Sequence, residues 1–355
     1  MGAIALSPTN IVNNQLTYDK DNTYISMSKY EESPEIMIKR GDVIFVKTGS
    51  TVGKVAYVDK MICKTTLNPQ VVVLKDIKCD NYILSVIMST RNFQNKIQRI
   101  TVGGAVPTLS QVAMGNIFIS LPAAKEQEKI SKFISLLDER IATQNKIIED
   151  LKKLKSAIIE KHYRQTEKNE VCVADLGNHF NVGNLAKDDL SETGKPCIIY
   201  GELFTTYGEI ISQIESHTNK TEGMILSKKG DLLFPSSTTV DAVSLIAPSV
   251  INVDNVILGG DMFGIHVSHN YNAQYLSYYF NHIAKKQLAK FAKGSTIIHL
   301  HYTDIEKAKL FLPSLEEQNR MAMCLVALDK KVSVEQNLLS SLTCQKSYLL
   351  QQMFI

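Results

Sequence analysis

Two stretches of the chain decide its fold, Leu121–Ile159 and Leu312–Leu350. The first is LPAAKEQEKISKFISLLDERIATQNKIIEDLKKLKSAII and the second is LPSLEEQNRMAMCLVALDKKVSVEQNLLSSLTCQKSYLL. A shift of 191 positions, from Leu121 to Leu312, superposes them without a gap. It aligns their LPxxxEQ starts and a Leu-Asp pair in the middle of each. Self-similarity of this length indicates that one structural unit occurs twice in the chain.

Both stretches have the apolar period of a long helix. Apolar residues recur at alternating steps of three and four over about four heptads, which predicts helices of about 40 residues and roughly 60 Å. The predicted seam consists of Ile134, Leu137, Ile141, Ile148, Leu151, Leu325, Leu328, Val332, Leu339 and Leu342. Gln144 and Glu335 interrupt it at one equivalent level, and Lys155 and Lys346 at another. Any two long amphipathic helices resemble each other in sequence pattern, but polar interruptions at equivalent positions favour a true repeat. We expect the apolar stripe of one helix to pack on that of the other.

The segment before each helix repeats more faintly. Lys39–Phe45 (KRGDVIF) resembles Lys228–Phe234 (KKGDLLF), and short β-rich runs follow in both halves. We therefore predict an α+β fold with a pseudo-twofold internal repeat, in which two mixed α/β domains are each followed by a long α-helix. The predicted boundaries are domains at 1–120 and 164–311 and helices at 121–163 and 312–355.

The composition is that of a globular protein from a reducing compartment. The chain has 355 residues, 44% of them hydrophobic and 21% charged, which suffices for two domains with their own cores. No apolar run approaches the roughly 18 residues that span a bilayer, so we expect no membrane contact. The six cysteines form no CxxC pair, which favours a cytoplasmic location over a disulfide framework or a zinc site. The net charge of +3 permits a nucleic-acid partner without indicating one.

Two polar loops in each half are candidate DNA contacts, because phosphates need cations or hydroxyls and base edges need hydrogen-bonding side chains. One is Lys47–Lys54 (KTGSTVGK), whose counterpart is the hydroxyl-rich Pro235–Asp241. The other follows the short helical stretch of each domain, and its two copies carry unlike side chains, as two different specificities require. The candidates are Lys47, Thr48, Ser50, Thr51, Lys54, Arg99, Thr101, Thr108, Ser110, Gln111, Ser236, Ser237, Thr238, Lys293, Ser295, Thr296, His299 and His301, with Tyr200, Glu202, Thr205, Thr206 and Tyr207 weaker. Plain solvated loops are the alternative.

No catalytic centre is visible in the sequence. KTGSTVGK differs from a nucleotide-binding loop, because three rather than four residues separate its glycines and Val55 follows the lysine. His299 and His301 have no third metal ligand at a suitable spacing. Neither the (N/D)PP(Y/F) motif of amino-methyltransferases nor a nuclease cluster is found. We therefore predict no catalytic residue and no bound metal, and expect any chemistry to come from a partner.

The two helix starts, LPxxxEQ followed by Leu-Asp, resemble those of the specificity subunits of type I restriction–modification systems, and the resemblance covers almost the whole chain. It implies two target-recognition domains whose long helices pair as an antiparallel coiled coil. It also implies recognition of a split site in double-stranded DNA, with the helices holding the two recognition domains apart.

The same resemblance implies partners that carry the chemistry. These are two methyltransferase subunits and the restriction, or translocase, subunits, with S-adenosylmethionine, ATP and Mg²⁺ bound to them and no cofactor bound by this chain. A structural coiled-coil adaptor and a standalone nuclease or methyltransferase are the alternatives. The adaptor leaves the two polar-loop domains unexplained, and the enzyme would need a catalytic cluster.

The two halves differ in the length of the segment that precedes the Gly-Asp pair. About 60 residues lie between Val171 and Gly230-Asp231, whereas 40 precede Gly41-Asp42. The resemblance therefore implies that the first recognition domain is shortened by about 20 residues, which correspond to Val171–Leu190.

If the domains recognise DNA separately, exchanging residues 171–311 for those of another allele will change one half of the recognised DNA sequence only. The methylation pattern obtained with the cognate methyltransferase measures this. Altered bases in both halves would contradict separable recognition.

Overall fold

The structure is a computed structural model that describes residues 2–18 and 22–354. It divides into two units, one formed by Met1–Lys146 with Asn337–Ile355 and the other by Ile147–Gln336. We call them unit 1 and unit 2. Each unit contains one mixed α/β domain and a part of both long helices, so the predicted α+β class and the internal repeat are confirmed.

The strands of unit 1 are short and its helices, apart from the long ones, have ten residues or fewer. The strands are β1 (Ala3–Leu6), β2 (Ile11–Val12), β3 (Gln15–Leu16), β4 (Thr23–Ile25), β5 (Val43–Val46), β6 (Val55–Tyr57), β7 (Thr65–Leu67) and β8 (Val71–Leu74). The helices are α1 (Met27–Glu31), α2 (Asn81–Ser89), α3 (Arg91–Ile100) and α4 (Gln111–Gly115), and 3-10 turns cover Pro8–Asn10 and Pro34–Ile36. The first long helix, α5, follows at Ala124–Gln165.

Unit 2 has the same kinds of element in a similar order. Its strands are β9 (Asn169–Cys172), β10 (Gly177–Asn181), β11 (Leu190–Ser191), β12 (Lys195–Ile199), β13 (Ile210–Ile211), β14 (Ser216–Thr218), β15 (Ile225–Leu226), β16 (Asp231–Pro235), β17 (Ser237–Thr238), β18 (Ser249–Ile251), β19 (Ile257–Gly259), β20 (Met262–Val267), β21 (Ile298–His299) and β22 (Lys309–Leu312). Its helices are α6 (Glu202–Thr205), α7 (Ala242–Leu245), α8 (Ala273–Tyr279), α9 (Lys285–Leu288) and α10 (Tyr302–Ile305). Further helical turns of 3-10 or π type are Val173–Leu176, Lys187–Asp189, Phe280–Ala284 and Ala289–Phe291, and the second long helix, α11, is Leu315–Met353.

A fully buried strand lies at the centre of each domain. In unit 1 the main sheet has the order β2-β3-β6-β5-β8, and every residue of β5 is buried. Phe45 of β5 packs with Met88 of α2 on one face, and Ile44 packs with Ile4 on the other. In unit 2 the sheet order is β10-β20-β16-β18-β13, and β16 holds the place of β5. A strand buried on both faces explains the continuous apolar runs VIFV and LLF after the two Gly-Asp pairs.

A second sheet completes each domain. In unit 1 β1 pairs parallel to β7 and antiparallel to β4. In unit 2 β12 pairs parallel to β19 and antiparallel to β14 in the same way. The units therefore correspond from β1 and β12 onward. The stretch 171–190 of unit 2, which the first half was expected to lack, contributes to β9, a helical turn and β10.

The LPxxxEQ motif has a structural role in both copies. The Gln127 side chain donates to the Pro122 carbonyl (2.8 Å) and accepts from the Asp80 N–H (2.9 Å). Gln318 donates to the Pro313 carbonyl (2.8 Å) and accepts from the Asn272 N–H (3.0 Å). Asp80 and Asn272 also cap the helices α2 and α8. The motif glutamine therefore joins the start of each long helix to the start of a helix in the domain before it.

Every residue predicted for the seam is buried or half-buried, and Leu325 and Ile134 are nearly inaccessible. In unit 2 Lys155 Nζ lies 2.8 Å from Asp329 Oδ1, and His162 Nε2 lies 3.2 Å from Glu317 Oε2. In these two pairs the residue number rises along α5 and falls along α11, so the two helix segments run antiparallel. The polar positions Gln144 and Glu335 are buried too.

The seam lysines form equivalent ion pairs. Lys346 contacts Asp138 in unit 1 as Lys155 contacts Asp329 in unit 2. Each aspartate also accepts a hydrogen bond from a domain tyrosine, Asp138 from Tyr82 (2.6 Å) and Asp329 from Tyr278. Burial, with the neighbouring carboxylate second, raises the pKa of both tyrosines. Their hydroxyls therefore remain protonated donors.

Unit 2 adds a second carboxylate to this cluster. Glu209 Oε1 lies 2.9 Å from Lys155 Nζ and 2.9 Å from His282 Nε2. Burial favours a raised pKa for Glu209, but the His282 hydrogen bond and the Lys155 charge outweigh it and lower the pKa to about 2. Lys155 is thus the cation shared by two acidic groups, and its side chain is only 12% exposed.

Lys155→Ala will destabilise unit 2 by about 3 kcal/mol, because it leaves two partly buried carboxylates without their shared cation. Urea unfolding measures the loss. Lys346→Ala is the matched control, since Lys346 pairs with one carboxylate and is more exposed (25%). An equal or larger loss for Lys346→Ala would contradict this account.

Candidate nucleic-acid interface

The predicted loop Lys47–Lys54 connects β5 to β6, which pair antiparallel. Gly49 and Gly53 have φ values of 106° and 99°, a region that glycine adopts readily. Ser50 is exposed, whereas Lys47, Thr48 and Thr51 are half-exposed. Lys54 is exposed, but its Nζ lies 3.2 Å from the Ile11 carbonyl, so this lysine helps to hold the loop.

The second candidate loop of unit 1 follows α3. Arg99 and Gln111 at its two ends are exposed. Thr101 Oγ1 donates to the Ile97 carbonyl (2.8 Å), Thr108 Oγ1 donates to the Val106 carbonyl (3.3 Å), and Ser110 Oγ caps α4 by accepting from Ala113 N–H (3.0 Å). These hydroxyls support the loop, and Arg99 and Gln111 are its long exposed side chains.

The two loops of unit 1 lie side by side. Thr48 and Thr108 form an antiparallel bridge, and the Leu109 N–H donates to the Lys47 carbonyl (2.8 Å). A further bridge joins Val102 to Thr108. Residues from 47–54 and 99–111, far apart in sequence, therefore meet on one surface of the unit.

Unit 2 repeats this backbone arrangement. Ser237 of β17 pairs with His299 of β21, and the Leu300 N–H donates to the Ser236 carbonyl (2.9 Å). Lys293 bridges to His299 as Val102 does to Thr108. Both units thus present two loops joined by the same hydrogen-bond ladder.

The side chains on this ladder differ between the units. Ser236 and Ser237 are buried (7% and 4% exposed), and Ser237 Oγ donates to Asp261 Oδ2 (2.8 Å). Of the predicted hydroxyl trio, only Thr238 remains partly exposed. Direct DNA contact by the two serines would therefore require a change in the loop.

On the other loop of unit 2 the candidates are exposed. Ser295, Thr296, His299 and His301 all reach solvent, and the two histidine rings stack with centroids 6.2 Å apart. Lys293 Nζ lies 2.5 Å from Asp304 Oδ1. That hydrogen bond, with the charge of Lys293, lowers the pKa of Asp304. Lys293 is thus already paired with an acid, unlike Arg99 of unit 1, for which no partner is found among the described residues.

A cleft of about 750 Å³ opens beside the ladder in unit 2. Its lining includes Thr238 and His299, together with three of the five weaker candidates, Tyr200, Thr205 and Tyr207. The other two, Glu202 and Thr206, do not line it, and Glu202 is buried. Asn281 and Lys285 also line it. Sequence reasoning missed these last two because they lie on the helical stretch before the loop, and the Lys285-Lys286 pair was the only signal.

Two kinds of feature are not found in the described part of the chain. Within residues 2–18 and 22–354, no three His, Cys, Asp or Glu side chains cluster so that they could hold a metal ion. In the same part of the chain, no helix combines the length and the apolar character needed to cross a membrane.

In the comparison with known protein families, one family model matches both halves of the chain. The model described as type I restriction modification DNA specificity domain matches residues 7–153 and 166–343. Two proteins of Methanocaldococcus jannaschii are similar over most of the chain. The type I restriction enzyme MjaVIII specificity subunit is 24% identical over 85% of this chain and 75% of its own length. The putative type I restriction enzyme MjaX specificity subunit is 23% identical over 88% and 77%.

Solved structures have the same fold at low sequence identity. The S subunit of a type I restriction-modification system from M. genitalium superposes with a TM-score of 0.61 at 16% identity, covering 100% of this chain and 92% of that one. A chain from a study of complex assembly and conformational transition in the type I R-M system has a TM-score of 0.58 at 16% identity, covering 100% and 91%.

Gly294→Ala will distort the second loop of unit 2, because Gly294 has a φ of 116° and an added Cβ would lie 2.1 Å from the Ile297 carbonyl oxygen. We expect a loss of about 2 kcal/mol in the free energy of unfolding. Gly104→Ala is the control, since nothing lies within 4 Å of its Cβ position. Thermal unfolding compares the two, and equal midpoints would contradict the strained geometry.

Proposed function

The chain belongs to the type I restriction–modification DNA specificity family, and from that premise we propose that it recognises a two-part site in double-stranded DNA, one part with each unit. The family match covers both halves of the chain. The resemblance drawn from the helix starts is therefore confirmed, and the chain is a specificity subunit. Residues of both units would contact the DNA site.

One observation carries the proposal. Both units build the same ladder, Thr48 with Thr108 and Ser237 with His299, at the same point of the repeat. The exposed side chains around it differ, with Arg99 and Gln111 in unit 1 and Ser295 and Thr296 in unit 2. A common backbone with different polar groups suits recognition of two different base sequences.

The chemistry of the exposed groups fits base and phosphate contacts. Arg99 can make a bidentate contact with guanine and Gln111 with adenine. Lys47 and Lys285, one in each unit, are half-exposed cations beside the ladders that can neutralise phosphates. Hydroxyls and the His299 ring supply further donors and acceptors in unit 2.

The long helices would set the distance between the two half-sites. Each of α5 and α11 runs through both units without interruption. The paired segments are tied by buried or half-buried ion pairs that fix their register. The length of the unrecognised spacer in the DNA site would therefore be constant.

Catalysis would come from partner subunits. We expect two methyltransferase subunits, because the repeat offers two equivalent docking surfaces, and restriction or translocase subunits that join them. Those partners would bind S-adenosylmethionine, ATP and Mg²⁺. The complex would act in the cytoplasm, where its DNA target lies.

Paired substitutions in the two units test separate recognition. Arg99→Ala with Gln111→Ala should relax one half of the methylated motif, and Ser295→Ala with His299→Ala the other half. Each lost base contact should lower discrimination about tenfold or more. Co-expression with the cognate methyltransferase subunits and genome-wide mapping of methylated sites measures both.

Lys60→Ala is a control in unit 1, because Lys60 is exposed but belongs to neither candidate loop. It should leave the motif unchanged. A motif without two parts, or a change in both halves from either pair of substitutions, would refute the proposal.

A further inference from the structure

Helix α3 of unit 1 has one apolar face and one polar, basic face. On the apolar face Phe93 and Ile97 are 5% and 1% exposed and pack in the core of the domain. On the other face Arg91, Asn95 and Arg99 follow one another at steps of four and are exposed. Residues four apart are neighbours on the surface of a helix. The three side chains therefore form a stripe, which we call the α3 stripe.

A glutamine holds α3 against the first candidate loop of unit 1. The Gln94 Nε2 donates to the carbonyls of Gly53 (2.8 Å) and Met88 (2.6 Å). A Cβ on Gly53 would lie 2.4 Å from the Gln94 Oε1, so the loop and the helix are in close contact. The second candidate loop begins where α3 ends, at the capping residue Thr101. The helix therefore adjoins both loops of the ladder.

The polar groups of the α3 stripe are not used within the described part of the chain. Neither Arg91 nor Arg99 forms an ion pair with a described residue, and the Asn95 amide hydrogen-bonds to none of them. The amide thus presents a donor and an acceptor together. These groups are available to a ligand.

The sequence around the stripe carries only one sign of charge. From residue 81 to residue 125 there is no Asp or Glu, although these acids make up 36 of the 355 residues of the chain. The start of α5, by contrast, exposes Glu126, Glu128 and Lys129 together, as solvated helix faces usually do. Residues 262–303 of unit 2 also lack acids. A surface of one sign at equivalent places in both units is complementary to a polyanion.

We propose that α3 lies in the major groove of the DNA and that Asn95 recognises one adenine of the half-site bound by unit 1. The inference rests on the proposed function and adds the element that contacts the bases. An asparagine amide can accept from the adenine N6 amino group and donate to N7 at the same time. At 1.5 Å per residue the stripe is about 12 Å long, and the major groove is about 12 Å wide.

Arg91 has a different role, which is to bind a phosphate. It lies in the first turn of α3, and that turn contains no acid. The helix dipole favours an anion at this end as well. A phosphate contact positions the helix on the duplex without selecting a base sequence.

Unit 2 keeps cations at these positions but not the amide. The shift of 191 positions aligns the α3 stripe with His282, Lys286 and Lys290. The two lysines are exposed, whereas the His282 Nε2 lies 2.9 Å from the Glu209 Oε1. The helical stretch there is divided into a π turn, α9 and a 3-10 turn. Base recognition by this stretch is therefore a property of unit 1.

The experiment uses the full chain co-expressed with its cognate methyltransferase subunits, and methylated sites are mapped genome-wide. Asn95→Ala should keep a two-part motif but lower discrimination about tenfold at one A·T pair of one half-site. Alanine favours a helix more than asparagine does, so α3 should remain folded.

Arg91→Ala should give the opposite result. Every position of the motif should remain, while binding of the complex to duplexes with and without the motif weakens by a similar factor. The slope of log affinity against log salt should fall by about one, because one phosphate contact is lost. A motif altered at one position would contradict a phosphate contact.

Asn145→Ala is the matched control, because Asn145 is an exposed asparagine of α5 whose Nδ2 donates to the Ile141 carbonyl (3.0 Å). It should leave the motif unchanged. A two-part motif that Asn95→Ala leaves intact, even with weaker methylation, would overturn base recognition by α3 and leave the proposed function standing. A one-part motif for the unsubstituted chain would refute the proposed function and this inference together.

Discussion

In each unit, a lysine of one long helix meets an aspartate of the other, and the rest of the structure depends on that pair. The aspartate also accepts a hydrogen bond from a tyrosine of the recognition domain, Tyr82 in unit 1 and Tyr278 in unit 2. One carboxylate therefore sets helix register and domain position together. Because both partners of the pair are at least half-buried, a different register would leave charges without partners, at a cost of several kcal/mol.

The motif glutamines extend this constraint to the start of each long helix. Gln127 and Gln318 each join a proline carbonyl to the N–H of a helix-capping residue. The long helices thus hold the domains through polar contacts that are the same in both units. A fully buried strand, β5 or β16, leads into the first candidate loop of each unit.

The two units differ in the side chains of their polar loops. The loop ladder keeps its backbone hydrogen bonds in both units while its side chains change. Exposed side chains on the ladder can therefore differ without disturbing packing, since exposed polar groups contribute little to stability.

The sequence by itself determined the repeat, the long helices and their seam, because periodicity and a constant shift are properties of residue order. It also located the candidate loops, through their hydroxyls and lysines. Only the tertiary structure decided which of those residues face solvent. Ser236 and Ser237 lie in a polar run but are buried, and Lys54 and Lys293 are bound by distant groups. Burial and partner choice arise from residues remote in sequence, so no local pattern carries them.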